Sequence, residues 1–413
     1  MIPERGSIDL RKEVTFQTSQ LCFSEELEPI AQNLGHLKID KLHPKQNQAT
    51  LNHLSEKVIK TIKSLENNSQ HAIFTFNGPE WCRQNPEEAA QDHAKVIIDT
   101  YGKTYALPNK DPNSNLEALK NGTDMYLTYK NGKPVGTACL VPVKNGVAEL
   151  GRAASLGNVG NRIIQDMRII DWLTNKTTSR KYHSIFATCR TAPDRDIGET
   201  TPMRGGQAVS HMWGEIPNLL VAGFGPLYKK HSKLETFAYS ILTRESVSLP
   251  ARVWITDPVD ASFVSEWAKN YKLSNPSIVN FDQSRNNHLQ FEIEYPPKES
   301  GVTEYVHGEI ITTRNNGTNL KEAFDTLKTT GVPFIQIAVP IDRNTLDTQK
   351  QLRDLGFKSF MITPSIGNEP AKLWFGTPVN TKVVPRYWDI NGQTNPFWGR
   401  SLEVHGKRIS SSW

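Results

Sequence analysis

The sequence lacks long apolar runs, and its cysteines are few and scattered. No stretch approaches the roughly 18 consecutive apolar residues that a membrane-spanning helix needs, so no membrane partner is expected. The N-terminal segment MIPERGSIDLRKEV has no apolar core like that of a signal peptide, which predicts a cytoplasmic protein. The cysteines are Cys22, Cys82, Cys139 and Cys189, and they form no CxxC pair. A disulfide framework and a structural zinc site are therefore not expected, and no metal is predicted.

Charge and phosphate motifs narrow the range of ligands. The formal net charge is +5, and there is no long run of Lys and Arg. Such a balance mildly favours an anionic ligand and does not indicate nucleic acid as a partner. The patterns GxxxxGK[ST] and GxGxxG are also absent. Their absence excludes a P-loop and the usual dinucleotide fingerprint.

The composition is that of a globular protein with more than one domain. The chain has 413 residues, of which 37% are hydrophobic and 22% charged, which predicts two or three domains. Apolar periodicity predicts an amphipathic helix from residue 45 to about residue 66, whereas residues 104–115 are rich in turn formers. We predict an N-terminal extension over 1–70, a first domain over 71–246, a second over 250–380 and a tail over 381–413.

The most informative region is an antiparallel meander followed by a glycine-containing loop and a helix. The predicted strands are 124–130, 133–143 and 147–155, and Asn131-Gly132 and Asn145-Gly146 are two-residue hairpin turns. A loop over 156–161 then leads into a helix over 162–172. A strand, small-residue loop and helix together present backbone N–H groups and the positive end of a helix dipole, which is typical of a phosphate site. A tight strand-to-helix connection without a ligand explains the same residues.

This order of elements resembles the GNAT superfamily of acyl-CoA-dependent N-acyltransferases, over about residues 100–243. The resemblance is carried by YKNGKPVGTACLV, AELGRAASLGNVGNRIIQDMRIIDWL, AGFGPLY and ETFAYSIL. The second half is similar to the same family through RNNGTN and PFIQIAVPIDRNTLDTQKQLRDLGFKSF. The resemblance implies an α/β fold with a mixed, mainly antiparallel sheet and flanking helices, arranged as two tandem GNAT-like domains. The first of these is the favoured catalytic domain.

The resemblance also implies where acetyl-CoA, the expected co-substrate, would bind. In GNAT proteins the loop after the fourth strand carries [QR]xxGx[GA] and wraps the pyrophosphate of coenzyme A. Aligned on Gly160, this chain has Gly157 in place of Gln or Arg and Arg162 in place of the last small residue. The implied site comprises Ala153, Ala154, Ser155, Gly157, Asn158, Val159, Gly160, Asn161 and Arg162. In the second half, Arg314 and Gly317 fit the motif and Asn319 does not.

Amine acylation needs a base for the amine, donors for the carbonyl oxygen and an acid for the thiolate. Glu149, on the strand that borders the thioester in GNAT proteins, is the candidate base. The backbone N–H groups near Ala153 and Ala154 are the candidate donors. His211 and Tyr228 are the candidate acids. Arg152, His231 and Glu235 are the candidate acceptor-binding residues, and for each of these side chains an ordinary surface or ion-pair role is the alternative.

Three hypotheses for function follow. The first is an N-acetyltransferase that transfers acetyl from acetyl-CoA to the primary amine of a small polar molecule, such as an amino acid, an amino sugar or an antibiotic-like metabolite, by direct attack. The second is a Fem-like transferase that takes amino acids from charged tRNA and uses two GNAT-like domains. The third is a non-catalytic GNAT-like binding protein. The acceptor and the oligomeric state are left open.

Overall fold

The computed structural model describes residues 20–23, 45–66, 74–102, 108–143, 146–156, 158–174, 178, 181–190, 219–230, 233–274, 276–279, 290–294, 308–313, 317–366, 368–379 and 382–384. The chain divides into two compact units. The first comprises Met1–Phe186 and Ile216–Asn218, and the second comprises Ala187–Glu215 and Leu219–Trp413. The predicted domain boundaries differ from this division and stay a prediction. No helix in the described ranges is long and apolar enough to cross a membrane.

The first unit is built on a sheet whose neighbouring strands follow one another along the chain. Its elements are β1 (Gln20–Phe23), α1 (Lys45–Glu66), β2 (Phe74–Asn77), α2 (Pro79–Gln84), α3 (Pro86–Tyr101), α4 (Pro112–Lys120), β3 (Asp124–Lys130), β4 (Lys133–Pro142), β5 (Val147–Ser155), α5 (Asn158–Thr174) and the start of β6 (Ser184–Arg190). The strand order is β1-β2-β3-β4-β5-β6. Neighbours are antiparallel up to β5, and β6 is parallel to β5.

Helices cover both faces of this sheet. Side chains alternate between the two faces of a strand, and the odd-numbered residues Met125 and Leu127 pack in one cluster with Cys82 of α2, Ala89 of α3 and Leu119 of α4. On the opposite face, the Tyr126 hydroxyl donates to Asp171 of α5 at 2.8 Å. The longer helix α1 packs on α5. The first unit therefore has three layers, with α3 and α5 on opposite faces of β3, β4 and β5.

Several predicted elements are confirmed with their bounds. β3, β5 and α1 begin and end at the residues that the sequence indicates. At the turn between β3 and β4, Asn131 has φ 51° and Gly132 has φ 75°. Two positive φ angles in a two-residue turn match the right-handed twist of the flanking strands, which explains why Asn-Gly predicts the hairpin.

Two expectations about helix starts are wrong. Helix α4 begins inside the stretch predicted to be turns, because the Asp111 carboxylate caps it by accepting from the N–H groups of Asn113 (3.3 Å) and Ser114 (3.0 Å). Helix α5 begins at Asn158 and not at Arg162, so most of the predicted loop forms its first turn. The first N–H groups of a helix have no intrahelical partner, so the weak helix formers Gly and Asn cost least there.

The second unit contains the remaining elements. They are the end of β6, β7 (Leu220–Lys230), β8 (Lys233–Thr243), β9 (Val247–Ser248), β10 (Arg252–Trp254), α6 (Pro258–Asn270), β11 (Ser277–Val279), β12 (Gln290–Glu294), β13 (Gly308–Thr313), α7 (Leu320–Thr329), β14 (Phe334–Pro340), α8 (Leu346–Asp354), β15 (Lys358–Thr363), β16 (Ser365–Ile366), β17 (Lys372–Pro378) and β18 (Lys382–Val384). Its main sheet has the order β8-β7-β15-β17-β14-β13-β12. Together with the first sheet, it confirms the predicted mixed, mainly antiparallel α/β class.

The second unit repeats a motif of the first. In both, an antiparallel strand pair is followed by a helix and a strand parallel to the second member of the pair. The motif is β4-β5-α5-β6 in the first unit and β12-β13-α7-β14 in the second. Aromatic residues fill the core of the second unit, namely Phe263, Trp267, Phe291, Phe324, Phe357 and Phe375.

A buried ion-pair network joins three elements of the second unit. Asp260 of α6 is fully buried, accepts from the Ser359 hydroxyl of β15 and pairs with the Arg353 guanidinium of α8. The same guanidinium donates to Asp257 at 2.7 Å. Because a buried carboxylate needs charged or hydrogen-bonded partners, this network fixes α6 against α8 and β15.

Candidate active site

Among the described residues, the C-terminal half of β5 is paired on one side only. The parallel pairing of β5 with β6 runs from Val147 with Ser184 to Glu149 with Phe186, and the described residues show no pairing with β6 beyond it. Leu150 to Ser155 nevertheless continue as strand and pair with β4 on their other side. A strand edge without a paired neighbour presents backbone groups that a side chain or a ligand can contact.

A β-bulge lies in this open half of the strand. Cys139 of β4 pairs with Gly151, and two residues earlier Thr137 pairs with Ala154. Arg152 and Ala153 therefore stand together opposite one residue of β4. Arg152 has φ 51°, a left-handed conformation that costs an L-residue about 1–2 kcal/mol. Bulges re-aim backbone and side chains next to active sites, and this one takes the predicted residues Arg152 and Ala153 out of the regular ladder.

Glu149 precedes the bulge on the α3 face of the sheet. It pairs with Val141, which packs on the cluster beneath α2, α3 and α4. A Cβ at position 151 would lie 3.5 Å from the Glu149 carboxyl carbon, so the carboxyl group lies over Gly151. The predicted base is thus adjacent to the bulge.

Two side chains for which the sequence predicts no role hold the bulge. The Tyr101 hydroxyl of α3 donates to the Ala153 carbonyl at 2.9 Å. The fully buried Arg168 of α5 donates to the Gly151 carbonyl at 3.2 Å and to the Cys139 carbonyl at 2.9 Å. In the sequence, Arg168 stands among apolar residues of a predicted helix, and this is the signal that could have indicated a role for it. Tyr101 carries no comparable signal.

A neutral histidine lies beneath the same strands. His93 of α3 is wholly buried, and its Nδ1 atom is 2.5 Å from Thr137 Oγ1. Burial lowers the pKa of His93 from 6.5 to about 3, and the positive charge of Arg152 acts in the same direction. Its imidazole is therefore neutral at physiological pH and packs as part of the core.

We expect His93 to make the fold sensitive to acid. Between about pH 6.5 and pH 3 the unfolded chain protonates this residue and the folded chain does not, so the free energy of unfolding falls as the pH is lowered. The slope from one group is at most about 1.4 kcal/mol per pH unit. Urea unfolding of the wild type and of His93→Asn, at about pH 7 and pH 5, measures it. The wild type should lose more stability than the variant, and an equal loss contradicts the prediction.

For some of the remaining predicted site residues the structure gives the position in a helix or strand, and others lie outside the described residues. Asn158, Val159, Gly160, Asn161 and Arg162 form the first turn of α5, which contains no acidic residue. Ala154 is buried against Val96 and Ile97 of α3, and Ser155 ends β5. In the second unit, Tyr228 of β7 and Glu235 of β8 are register partners. Gly157, His211 and His231 lie outside the described residues, so their predicted roles stay predictions.

At the start of α7 in the second unit, two backbone N–H groups donate to side chains of the same unit. The N–H of Gly317 donates to the Gln290 side-chain oxygen at 3.1 Å. The Asn319 side chain caps α7 by accepting from the N–H of Glu322 at 2.9 Å, and the Glu322 carboxylate lies in the first turn. The N–H groups of Gly317 and Glu322, which a phosphate would need, therefore already have acceptors. The Glu322 carboxylate also adds a negative charge near these groups.

The described part of the chain contains no group of three His, Cys, Asp or Glu residues that could hold a metal ion.

No protein-family model matches the chain, and no curated protein matches it in sequence. Solved structures do resemble it. An aminoglycoside 6'-N-acetyltransferase from Enterococcus faecium matches with 12% identity and a TM-score of 0.30, over 40% of this chain and 94% of its own.

Two other solved structures give similar values. An acetyltransferase of the GNAT family from Streptococcus pneumoniae matches with 15% identity and a TM-score of 0.29, over 38% of this chain and 95% of its own. An aminoglycoside 6'-N-acetyltransferase complexed with coenzyme A matches with 12% identity and a TM-score of 0.29, over 38% of this chain and 91% of its own. All three matches cover about two fifths of this chain.

Proposed function

We propose that this chain is an acyl-CoA-dependent N-acyltransferase that transfers acetyl from acetyl-CoA to the primary amine of a small polar molecule. One observation carries the proposal. The β5 bulge at Arg152 and Ala153 lies between Glu149 and the start of α5, where the described residues pair with β5 on one side only. This places a carboxylate, off-ladder backbone groups and a helix N-terminus along one short segment of chain. Those are the groups that acyl transfer from coenzyme A requires.

The proposed reaction is direct attack. The amine nitrogen attacks the thioester carbonyl carbon, the C–N bond forms, the C–S bond breaks, and the thiolate of coenzyme A takes up a proton. Glu149 accepts the proton that the amine loses, and the N–H groups near Ala153 and Ala154 stabilise the oxyanion. Arg152, in the bulge, is proposed to bind the acceptor. The acid roles of His211 and Tyr228, and the acceptor contacts of His231 and Glu235, remain parts of the proposal.

Coenzyme A is proposed to bind at the start of α5. The first turn of this helix has no acidic residue that would repel a pyrophosphate. The second copy of the motif fits poorly, because Gln290 and Asn319 already accept from the N–H groups of Gly317 and Glu322. The repeated motif supports the proposal of two tandem GNAT-like domains, 71–246 and 250–380. The contrast between the two copies supports the first as the catalytic one.

Calorimetry with coenzyme A and acetyl-CoA tests the proposal. We expect the wild type to bind both and Gly160→Leu to bind at least about tenfold more weakly, a loss of about 1.4 kcal/mol. Leucine is a good helix former, so α5 should persist while the side chain obstructs its first turn. The matched control, Gly317→Leu, should keep the affinity within about twofold, because no ligand is proposed there.

Each alternative gives a different result in the same assay. Loss of binding in Gly317→Leu alone would move the coenzyme A site to the second unit. A wild type that binds neither coenzyme A nor acetyl-CoA contradicts the proposal. If that protein instead transfers an amino acid from charged tRNA, the Fem-like hypothesis replaces it. If it shows neither activity, a non-catalytic binding protein remains.

A further inference from the structure

We infer that Tyr101 and Arg168 are positioning residues for acyl transfer, because they hold the two carbonyl groups that flank Arg152 in the β5 bulge. The inference rests on the proposed function, since the bulge is where the thioester carbonyl would be polarised. It concerns residues of α3 and α5 that lie 52 and 17 positions from their partners in β5. We call Tyr101 and Arg168 the bulge clamp.

The two members of the bulge clamp come from opposite faces of the sheet. Tyr101 is the last residue of α3, and its hydroxyl donates to the Ala153 carbonyl at 2.9 Å. Arg168 lies in the middle of α5, and one guanidinium nitrogen donates to the Gly151 carbonyl at 3.2 Å and to the Cys139 carbonyl at 2.9 Å. The carbonyls before and after Arg152 are thus fixed by separate helices.

A bulge needs such contacts more than a regular strand does. The extra residue interrupts the ladder, so carbonyl groups beside it lose regular strand partners. Arg168 supplies charged donors to both β4 and β5, and charge-assisted hydrogen bonds are stronger than neutral ones. Tyr101 anchors the part of the bulge nearest to Ala154, where α3 also packs through Val96 and Ile97.

The chemistry explains why the position of this backbone matters. Donors that stabilise an oxyanion must lie within about 0.5 Å of the productive geometry, because a hydrogen bond weakens steeply with misalignment. Each backbone N–H lies in one plane with the carbonyl of the preceding residue, so the position of that carbonyl sets the direction of the N–H. Fixing the Ala153 carbonyl fixes the plane that carries the N–H of Ala154.

Tyr101→Phe is the variant that separates positioning from folding, because it removes the donor and keeps the ring. Tyr182→Phe is the matched control. The Tyr182 hydroxyl also donates to a backbone carbonyl, that of Gly122 at 3.3 Å, in the turn between α4 and β3. Arg168→Lys is the second variant, since a lysine keeps the charge and cannot reach both carbonyls in the same planar geometry.

Amide hydrogen exchange on the free proteins tests the clamp without any ligand. In Tyr101→Phe we expect the peptide containing residues 150–155 to exchange at least about tenfold faster than in the wild type, because local opening of the bulge becomes easier. In Tyr182→Phe this peptide should exchange at the wild-type rate. Equal exchange of the peptide in Tyr101→Phe and Tyr182→Phe would overturn the inference.

Turnover then tests the role in the reaction. With acetyl-CoA and the amine that supports turnover, we expect kcat of Tyr101→Phe and of Arg168→Lys to fall about tenfold to a hundredfold, while KM for acetyl-CoA stays within about threefold. An unchanged kcat in Tyr101→Phe, together with faster exchange, shows a purely structural clamp and overturns the positioning role. A wild type that does not bind acetyl-CoA contradicts the proposed function, and the exchange experiment still decides whether the clamp exists.

Discussion

Replacing Glu149 by glutamine is expected to lower kcat at least about a hundredfold, which is the lower end of what a general base contributes. The substitution keeps the size of the side chain and removes its negative charge and its ability to accept a proton. The carboxyl group lies over Gly151, immediately before the bulge, so it is adjacent to the backbone proposed to polarise the thioester. Coenzyme A should bind with unchanged affinity, because Glu149 is not proposed to contact the cofactor.

The second unit offers a matched control for this variant. Glu309 lies on β13, in the parallel pair that repeats the β5–β6 arrangement, where it pairs with Gln336 of β14. Glu309→Gln should leave kcat within about twofold of the wild type, because the proposed site is in the first unit. Loss of turnover in Glu309→Gln with full activity in Glu149→Gln would assign catalysis to the second unit. Full activity in both variants would leave neither carboxylate as the base.

Gly376→Ala is expected to lower the free energy of unfolding by about 3 kcal/mol, the upper end for overpacking a core. Gly376 lies on β17 between Gln336 and Lys358 on the neighbouring strands. A Cβ there would overlap the Phe334 ring, with two further ring carbons at 2.9 and 3.0 Å. Phe334 is 1% exposed and packs edge-on against Phe360 with the ring centroids 5.8 Å apart, so the ring cannot move aside without displacing its neighbour.

A double variant identifies the cause of that loss. In Phe334→Leu the shorter side chain leaves room at position 376, so adding Gly376→Ala should cost much less than it does in the wild type. Urea unfolding of the four proteins measures the coupling between the two positions. If Gly376→Ala costs the same amount in both backgrounds, overlap with the ring is not the reason for the loss.

Local signals were sufficient for most of the secondary structure of the first unit. The run DMYLTYK, the Asn131-Gly132 turn and the run VAELGRAAS predict β3, the hairpin and β5 at their observed positions, because alternation and turn chemistry depend on neighbouring residues only. The missed start of α4 has a local cause as well. The Asp111 cap and Pro112 are helix-start signals, and they outweigh the turn-forming composition around them.

The candidate site was predictable only in part. Glu149, Arg152, Ala153 and Ala154 were identified through their strand and a family resemblance, and the structure brings them together around one bulge. The bulge itself was not predicted, since it is a mismatch in register between β4 and β5. Register depends on how two strands pair, and neither strand contains that information alone.

The sequence by itself determined the α/β class and the antiparallel meander, because these follow from periodicity, turn residues and order along the chain. It also carried the resemblance to the GNAT superfamily. Only the tertiary structure decided that α3 and α5 lie on opposite faces of one sheet, so that Tyr101 and Arg168 hold the same bulge. Those contacts join residues 52 and 17 positions apart. A hydrogen bond over such a separation exists only once the packing of the layers has been fixed.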